Sequence, residues 1–172
     1  MSQVVVVVTF YSRSGATETR ALSLAVGAVQ ERALIRLRRL PDADRQQSLS
    51  ARPDHRETLE RMWKEYVSPA EADLRGADAI VIAPTSQCDP SSMEWRPYLD
   101  LLRSLGAAGA LAGKVGAVVR NRDAAVVERF ERALRESGLT IVAPASAREA
   151  EPTPQGATAH GRRVAAAVRV AT

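Results

Sequence analysis

A run of five valines at residues 4–8 limits the folds open to this sequence more than any other feature. β-Branched residues favour strands, and a strand that is apolar at every position must be covered on both of its faces. Parallel sheets with helices packed on either side contain such strands. Since residues 79–83 and 115–119 repeat the pattern, we expect an α/β domain built on a parallel sheet.

The remaining segments alternate between helical and extended patterns. Amphipathic spacing predicts helices at residues 17–30, 93–105, 123–137 and 158–170. Shorter apolar runs predict further strands at residues 33–37 and 139–142. Pro97 must then lie in the first turn of a helix, and Gly138 is expected just beyond the end of another. This order predicts a doubly wound sheet of five parallel strands with helices on both faces, formed by a single domain of residues 1–172.

A long polar insert at residues 41–69 separates the second predicted strand from the third. Only residues 57–66 within it have helical character. Connections of this length usually carry function or assembly. Trp63 and Tyr66 are therefore candidates for an oligomer contact, a lid or a local hydrophobic anchor. Residues 148–155, which contain two prolines, are predicted to form a polar loop.

The composition narrows the choice of partners. The formal net charge is +4, but the arginines are scattered among acidic residues, as solvated helix faces would place them. We therefore expect no nucleic-acid partner and a mild attraction for anionic small molecules. The lone Cys88 excludes an internal disulfide and fits a reducing cytosol. Without a basic leader or a membrane-length apolar run, the sequence predicts a cytoplasmic protein with no membrane span.

Ligands of doubly wound sheets bind outside the carboxyl ends of the strands, so the loops at residues 10–17, 84–93 and 120–123 are the candidate binding elements. The first loop leads directly into a helix. Its hydroxyl groups, its glycine and the free N–H groups of the helix suit a phosphate group. A simpler alternative is that Ser14 or Thr17 only caps the helix. The isolated His55 and His160 lack metal-ligand spacing, so no metal site is predicted.

Residues 8–18, which read Val-Thr-Phe-Tyr-Ser-Arg-Ser-Gly-Ala-Thr-Glu, resemble the phosphate loop of flavodoxin-like proteins. The resemblance is closest to the NAD(P)H:quinone oxidoreductases of the tryptophan-repressor-binding-protein type. Further similar segments lie at residues 39–41, 72–74, 77–80, 98–100, 111–116 and 161–165. The resemblance implies a flavodoxin-like fold, FMN as cofactor, NAD(P)H as electron donor and a quinone-like acceptor. It also implies assembly into a homo-dimer or homo-tetramer.

The resemblance also assigns cofactor-binding residues by position. The phosphate side of the FMN site would comprise Ser12, Arg13, Ser14, Gly15, Ala16 and Thr17. The isoalloxazine ring would lie against Pro84, Thr85, Ser86 and Gln87. The third loop would add Arg120 and Asn121, and its arginines would either bind a nicotinamide phosphate or reduced flavin, or belong to a solvated loop.

Two of the three loops depart from the family pattern. Cys88 stands where the family has a flexible glycine, an aromatic residue of the second loop is missing, and charged residues replace small ones at 120–123. A flavodoxin-like binding or interaction domain with weak or lost flavin binding is therefore the alternative function. Cys88 could be a reactive thiol or an inert small side chain. Trp95 could cover a bound ring or pack in the core.

Overall fold

The computed structural model describes residues 3–171 and contains a five-stranded sheet in which neighbouring strands are parallel. The strands in chain order are β1 (Val5–Phe10), β2 (Leu34–Arg39), β3 (Ala79–Ala83), β4 (Val115–Val118) and β5 (Thr140–Ile141). Across the sheet their order is β2-β1-β3-β4-β5. The chain therefore changes direction of winding between β1 and β3, which confirms the predicted doubly wound sheet.

Helices cover both faces of this sheet, as the apolar strands require. They are α1 (Ala16–Gln30), α2 (Arg45–Ala51), α3 (Arg56–Glu65), α4 (Glu71–Arg75), α5 (Arg96–Ala107), α6 (Ala124–Glu136), α7 (Ala147–Ala150) and α8 (Pro154–Ala171). One buried cluster joins the sheet to α1, α3 and α8, and a second joins it to α4, α5 and α6. Among residues 3–171, every helix is too short or too polar to cross a lipid bilayer.

Two local expectations are confirmed, and the structure decides between the two alternatives for Trp95. Pro97 lies in the first turn of α5, which begins at Arg96, and Gly138 has a φ of 87° just after α6. Trp95 is fully buried, with its ring centroid 5.0 Å from that of Phe130, so it packs in the core rather than over a ligand.

The predicted polar loop at residues 148–155 is wrong, because it contains most of α7 and the start of α8. Ser146 begins α7 by accepting a hydrogen bond from the Glu149 N–H, and Pro154 suits the first turn of α8. The insert also contains a helix, α2, that the sequence analysis did not predict. Asp44 caps it by accepting a hydrogen bond from the Gln47 N–H. In both segments, a polar capping residue begins a helix too short for the periodicity to be recognised.

Helices α1 and α8 pack backbone against backbone. A Cβ atom placed on Gly27 would lie 1.9 Å from the carbonyl oxygen of Thr158. One placed on Gly161 would lie 2.0 Å from the carbonyl oxygen of Leu24. Only glycine allows this approach, which holds the last helix of the chain against the helix that follows the first loop.

We expect the protein to lose stability in mild acid because the imidazole of His160, on α8, is buried. Its Nε2 donates to the carbonyl oxygen of Val142 at 2.8 Å, and its Nδ1 is buried without a partner among residues 3–171. Burial lowers the pKa of His160. The unfolded chain therefore takes up this proton more readily, so stability is present above about pH 6.5 and falls below it.

Urea unfolding of the wild type should accordingly show a decrease in stability from about pH 7.5 to about pH 5.5. His160→Gln should show a smaller decrease over the same interval. Ala166→Ser, an exposed and non-titrating change on the same helix, should keep the wild-type dependence. Equal dependence in the wild type and His160→Gln would show that His160 is not responsible.

Candidate functional site

A pocket of about 460 Å³ lies at the carboxyl ends of β1 and β3, where the winding of the sheet reverses. It is formed by the loops that follow these strands, by α1 and by the insert. Its lining residues are Tyr11, Arg13, Ser14, Ala16, Thr17, Arg20, Ala51, Arg52, His55, Thr85, Ser86, Gln87, Cys88, Ser92 and Glu94. The volume is in the range of small-molecule sites.

The first loop presents the N-terminus of α1 to this pocket. Gly15 is the N-cap residue, with a left-handed φ of 89°, and it supplies no side chain to cap the helix. Ser12 instead supports the loop, since its Oγ accepts a hydrogen bond from the Gly15 N–H at 3.0 Å. Thr17 does not cap α1, and Ser14 reaches only the Ala16 N–H, at 3.4 Å. The alternative of a simple helix cap is therefore not supported, and the helix end can receive an anion.

Replacing Gly15 with alanine should reduce the free energy of binding of a phosphate-bearing ligand by more than it reduces the free energy of unfolding. An alanine at its left-handed φ costs about 1–2 kcal/mol. Its Cβ would meet Cγ2 of Thr58 in α3 at an ordinary contact distance of 3.4 Å, so the strain arises from the backbone angle of the loop. We expect FMN to bind more weakly, as measured by quenching of its fluorescence. Gly113→Ala is the matched control, because Gly113 has a φ of 75° at an open turn. Equal FMN affinities in the two variants would contradict the prediction.

Asp42 anchors the insert to the pocket. Its carboxylate pairs with the guanidinium of Arg39 at 2.9 Å and accepts hydrogen bonds from Nε1 of Trp63, the hydroxyl of Tyr11 and the hydroxyl of Ser48. Burial alone would raise the pKa of Asp42, but the hydrogen bonds from Arg39 and Trp63 outweigh burial and lower it. The carboxylate thus stays charged and joins β2, α2 and α3 to the pocket wall. Trp63 is a local anchor for the insert within this chain.

Glu18 forms a second attachment of the insert, at the first turn of α1. Arg61 of α3 binds both of its carboxylate oxygens, at 2.9 and 2.6 Å, and the Tyr66 hydroxyl donates to it at 2.6 Å. Burial would raise the pKa of Glu18, but these hydrogen bonds hold the pKa below its ordinary value. The negative charge nearest to the first loop is therefore already neutralised by the insert.

The structure gathers seven of the sequence-predicted site residues around the pocket. These are Arg13, Ser14, Ala16, Thr17, Thr85, Ser86 and Gln87. Ser12 and Gly15 do not line the pocket, but the hydrogen bond between them holds the conformation of the first loop. Cys88, predicted to be either reactive or inert, also lines the pocket, with its Sγ 3.0 Å from Oγ1 of Thr85.

Pro84, Arg120 and Asn121 do not line the pocket but hold the loops together. The Pro84 carbonyl oxygen accepts a hydrogen bond from Nδ2 of Asn121 at 3.3 Å. Oδ1 of Asn121 accepts one from the Asp123 N–H. The Arg120 guanidinium pairs with Glu131 of α6 at 2.9 Å. The third loop therefore uses these polar side chains to bind protein groups.

Five pocket residues lie outside the loops that the sequence analysis identified: Arg20, Ala51, Arg52, His55 and Glu94. Arg20 lies three residues after Thr17, so helical spacing alone could have placed it beside the first loop. The others are brought to the pocket by long-range packing, for which the sequence contains no local signal.

No protein-family model matches the chain. A curated protein of Rhizobium meliloti (strain 1021), named NAD(P)H dehydrogenase (quinone) 3, is 32% identical over 111 residues. The match covers 64% of this chain and 50% of that protein, so the chain aligns with only half the length of this relative.

Solved structures of flavodoxins share the fold over nearly the whole chain. The flavodoxin, WrbA-like protein of Agrobacterium tumefaciens has a TM-score of 0.64 at 17% identity, covering 99% of this chain and 100% of its own. A flavodoxin from the domain Archaea has a TM-score of 0.63 at 16% identity, covering 96% of this chain and 99% of its own. The fold of this chain is therefore flavodoxin-like, as the sequence resemblance implied.

Proposed function

We propose that this chain, which has a flavodoxin-like fold, binds FMN in the pocket beside β1 and β3 and passes electrons from NAD(P)H to a quinone-like acceptor. One observation carries the proposal: the open N-terminus of α1 and the polar loop after β3 line the same pocket. A ligand with a phosphate at one end and a hydrogen-bonding ring at the other can contact both.

The phosphate end of FMN fits the first loop. Ser14, Ala16 and Thr17 line the pocket at the start of α1, where the N-cap residue supplies no side chain and Ser14 makes only a 3.4 Å contact with the Ala16 N–H. The left-handed Gly15 lets the backbone turn into the helix without a Cβ atom in the way. Glu18, which would otherwise repel an anion, is neutralised by Arg61.

The ring end of FMN fits the loop after β3. Thr85, Ser86 and Gln87 supply hydroxyl and amide groups that can bind the polar edge of the ring, and the aromatic side chain of Tyr11 lies on the same pocket. When bound, the flavin supplies the redox chemistry, which is the transfer of two electrons from a nicotinamide to a quinone. The protein groups orient and surround the ring, and no side chain has to act as an acid or base.

The curated relative supports the choice of donor and acceptor, because its name states a dehydrogenase of NAD(P)H that acts on a quinone. A cytoplasmic location and a homo-dimer or homo-tetramer stay predictions of the sequence. The alternative function, a binding domain without redox activity, is favoured by one observation. Arg120 and Asn121 bind protein groups instead of facing the pocket.

Turnover tests the oxidoreductase directly. Purified protein supplied with FMN should oxidise NADH or NADPH faster when a soluble benzoquinone is present, as followed by nicotinamide absorbance. Free FMN at the same concentration is the control for non-enzymatic oxidation. Protein that binds FMN without quinone-dependent turnover would exclude the quinone reductase, and protein that binds no FMN would favour the alternative.

A further inference from the structure

Two arginines and a histidine line the pocket from two sides, Arg20 from α1 and Arg52 and His55 from the insert. We propose that Arg20 of α1 and Arg52 of the insert, with the imidazole of His55 beside them, form a site for the phosphate group of a phosphate monoester. The inference deepens the proposed function, because these residues would hold the same ligand. It also gives the insert a role in ligand binding.

Arg20 is a cation without an anionic partner. Its Nη2 contacts Oγ1 of Thr17 at 3.4 Å, which places the guanidinium at the first turn of α1. Its Nε is buried and has no hydrogen-bond partner among residues 3–171, and within the same range it forms no ion pair. Buried donors are normally satisfied, so an unpaired guanidinium N–H on a pocket wall indicates a ligand that completes it.

The positive charge of a second arginine, Arg122, further favours the binding of an anion to Arg20. Burial lowers the pKa of Arg20, and the nearby positive charge of Arg122 lowers it further. Arg122 is exposed on the third loop and forms no ion pair within residues 3–171. Two neighbouring cations repel each other, and an anion bound to Arg20 would offset this repulsion.

The insert supplies the second side of the site. Arg52 and His55 line the pocket from the segment between α2 and α3, with Nη2 of Arg52 3.5 Å from Nε2 of His55. Nδ1 of His55 is buried and has no partner in the described part of the chain. Asp54 pairs with Arg52 at 3.5 Å and lies 3.3 Å from Nε2 of His55, but the side chains of Arg52 and Asp54 are 57% and 64% exposed, so water screens this pair.

The balance of charge favours a phosphate over a neutral ligand. Among the lining residues, Glu94 is the single carboxylate, and it contacts Arg13 at 3.7 Å and Tyr11 at 3.4 Å. The charges of Arg20 and Arg52 are therefore not neutralised by another lining residue. A phosphate monoester brings close to two negative charges and three acceptor oxygens, which match these donors and the N-terminus of α1.

The attachment of the insert makes this site rigid before the ligand arrives. Asp42 and Glu18 tie α2 and α3 to the sheet and to α1, and the segment with Arg52 and His55 lies between those two helices. Side chains that are already in place lose less entropy on binding. The insert can therefore contribute to affinity and select for phosphorylated ligands.

The test uses inorganic phosphate as the probe, so that it does not depend on flavin chemistry. Arg20→Gln and Arg52→Gln should each weaken phosphate binding by about tenfold or more, as measured by isothermal titration calorimetry. Arg56→Gln, on the insert, and Arg132→Gln, on α6, are matched controls outside the pocket lining and should bind as the wild type does. Arg20→Lys, which keeps the charge, should recover part of the lost affinity.

FMN and riboflavin form the second arm of the experiment. Both pocket variants should weaken FMN binding and leave riboflavin binding unchanged, because riboflavin has no phosphate. Phosphate binding that depends on Arg20 and Arg52 supports the inference even in a protein that does not reduce quinones. The inference is overturned if the wild type does not bind phosphate, if both pocket variants bind it as the wild type does, or if the controls lose as much affinity.

Discussion

Asp42→Ala is expected to lower the free energy of unfolding by about 3–5 kcal/mol, because it leaves a buried cation without its partner. The Arg39 side chain is 3% exposed and that of Asp42 is fully buried, so water cannot replace the lost carboxylate. The same change removes the acceptor for Trp63, Ser48 and Tyr11. The insert should therefore detach from the pocket, and the sheet should also lose stability.

Urea unfolding would measure the loss of stability, and FMN titration would measure the effect of the detached insert on the pocket. Asp100→Ala is the control, since it breaks an exposed ion pair with Arg103 whose contribution is about 1 kcal/mol or less. Asp42→Asn keeps the shape but removes the charge and should be nearly as destabilised as Asp42→Ala. A loss of less than about 1 kcal/mol in Asp42→Ala would contradict the role of Asp42 as the anchor of the insert.

Gly161→Ala is expected to destabilise the protein by about 3 kcal/mol, although alanine favours helices over glycine. The new Cβ atom would lie 2.0 Å from the carbonyl oxygen of Leu24, which belongs to the backbone of α1 and cannot rotate away. Helices α1 and α8 would have to separate. For a chain of this length, such a loss corresponds to a decrease in Tm of roughly 6–12 °C.

Thermal unfolding of Gly161→Ala against Ala166→Ser would check this explanation. Ala166 is exposed on the same helix, so an added atom there meets water and should change the Tm very little. Gly27→Ala, from the opposite side of the contact, should behave like Gly161→Ala. An unchanged or increased Tm in both glycine variants would show that the two helices are not held in close contact.

The sheet was the part of the structure that the sequence predicted best. Strands β1, β3 and β4 are apolar at nearly every position, and that pattern has one common structural cause, burial on both faces. The first loop could be placed because it directly follows β1. Glycine and small hydroxyl residues at that point are explained by local backbone geometry, which neighbouring residues determine.

The rest of the candidate site depends on contacts between distant residues. Arg52 and His55 reach the pocket because Asp42 and Glu18 hold the insert, and the sequence does not show those pairings. Arg120 was predicted at the cofactor, but the structure pairs it with Glu131, eleven residues further along the chain. A charged side chain in a loop has several partners within reach, and tertiary packing decides among them.

The most direct test of the account is calorimetric titration of FMN and riboflavin into the purified, flavin-free protein. We expect one FMN site in each chain and clearly weaker binding of riboflavin, because the first loop and its neighbouring arginines hold the phosphate. Competition by inorganic phosphate should lower the apparent affinity for FMN. Absence of FMN binding, or equal affinity for FMN and riboflavin, would contradict the phosphate site on which the account depends.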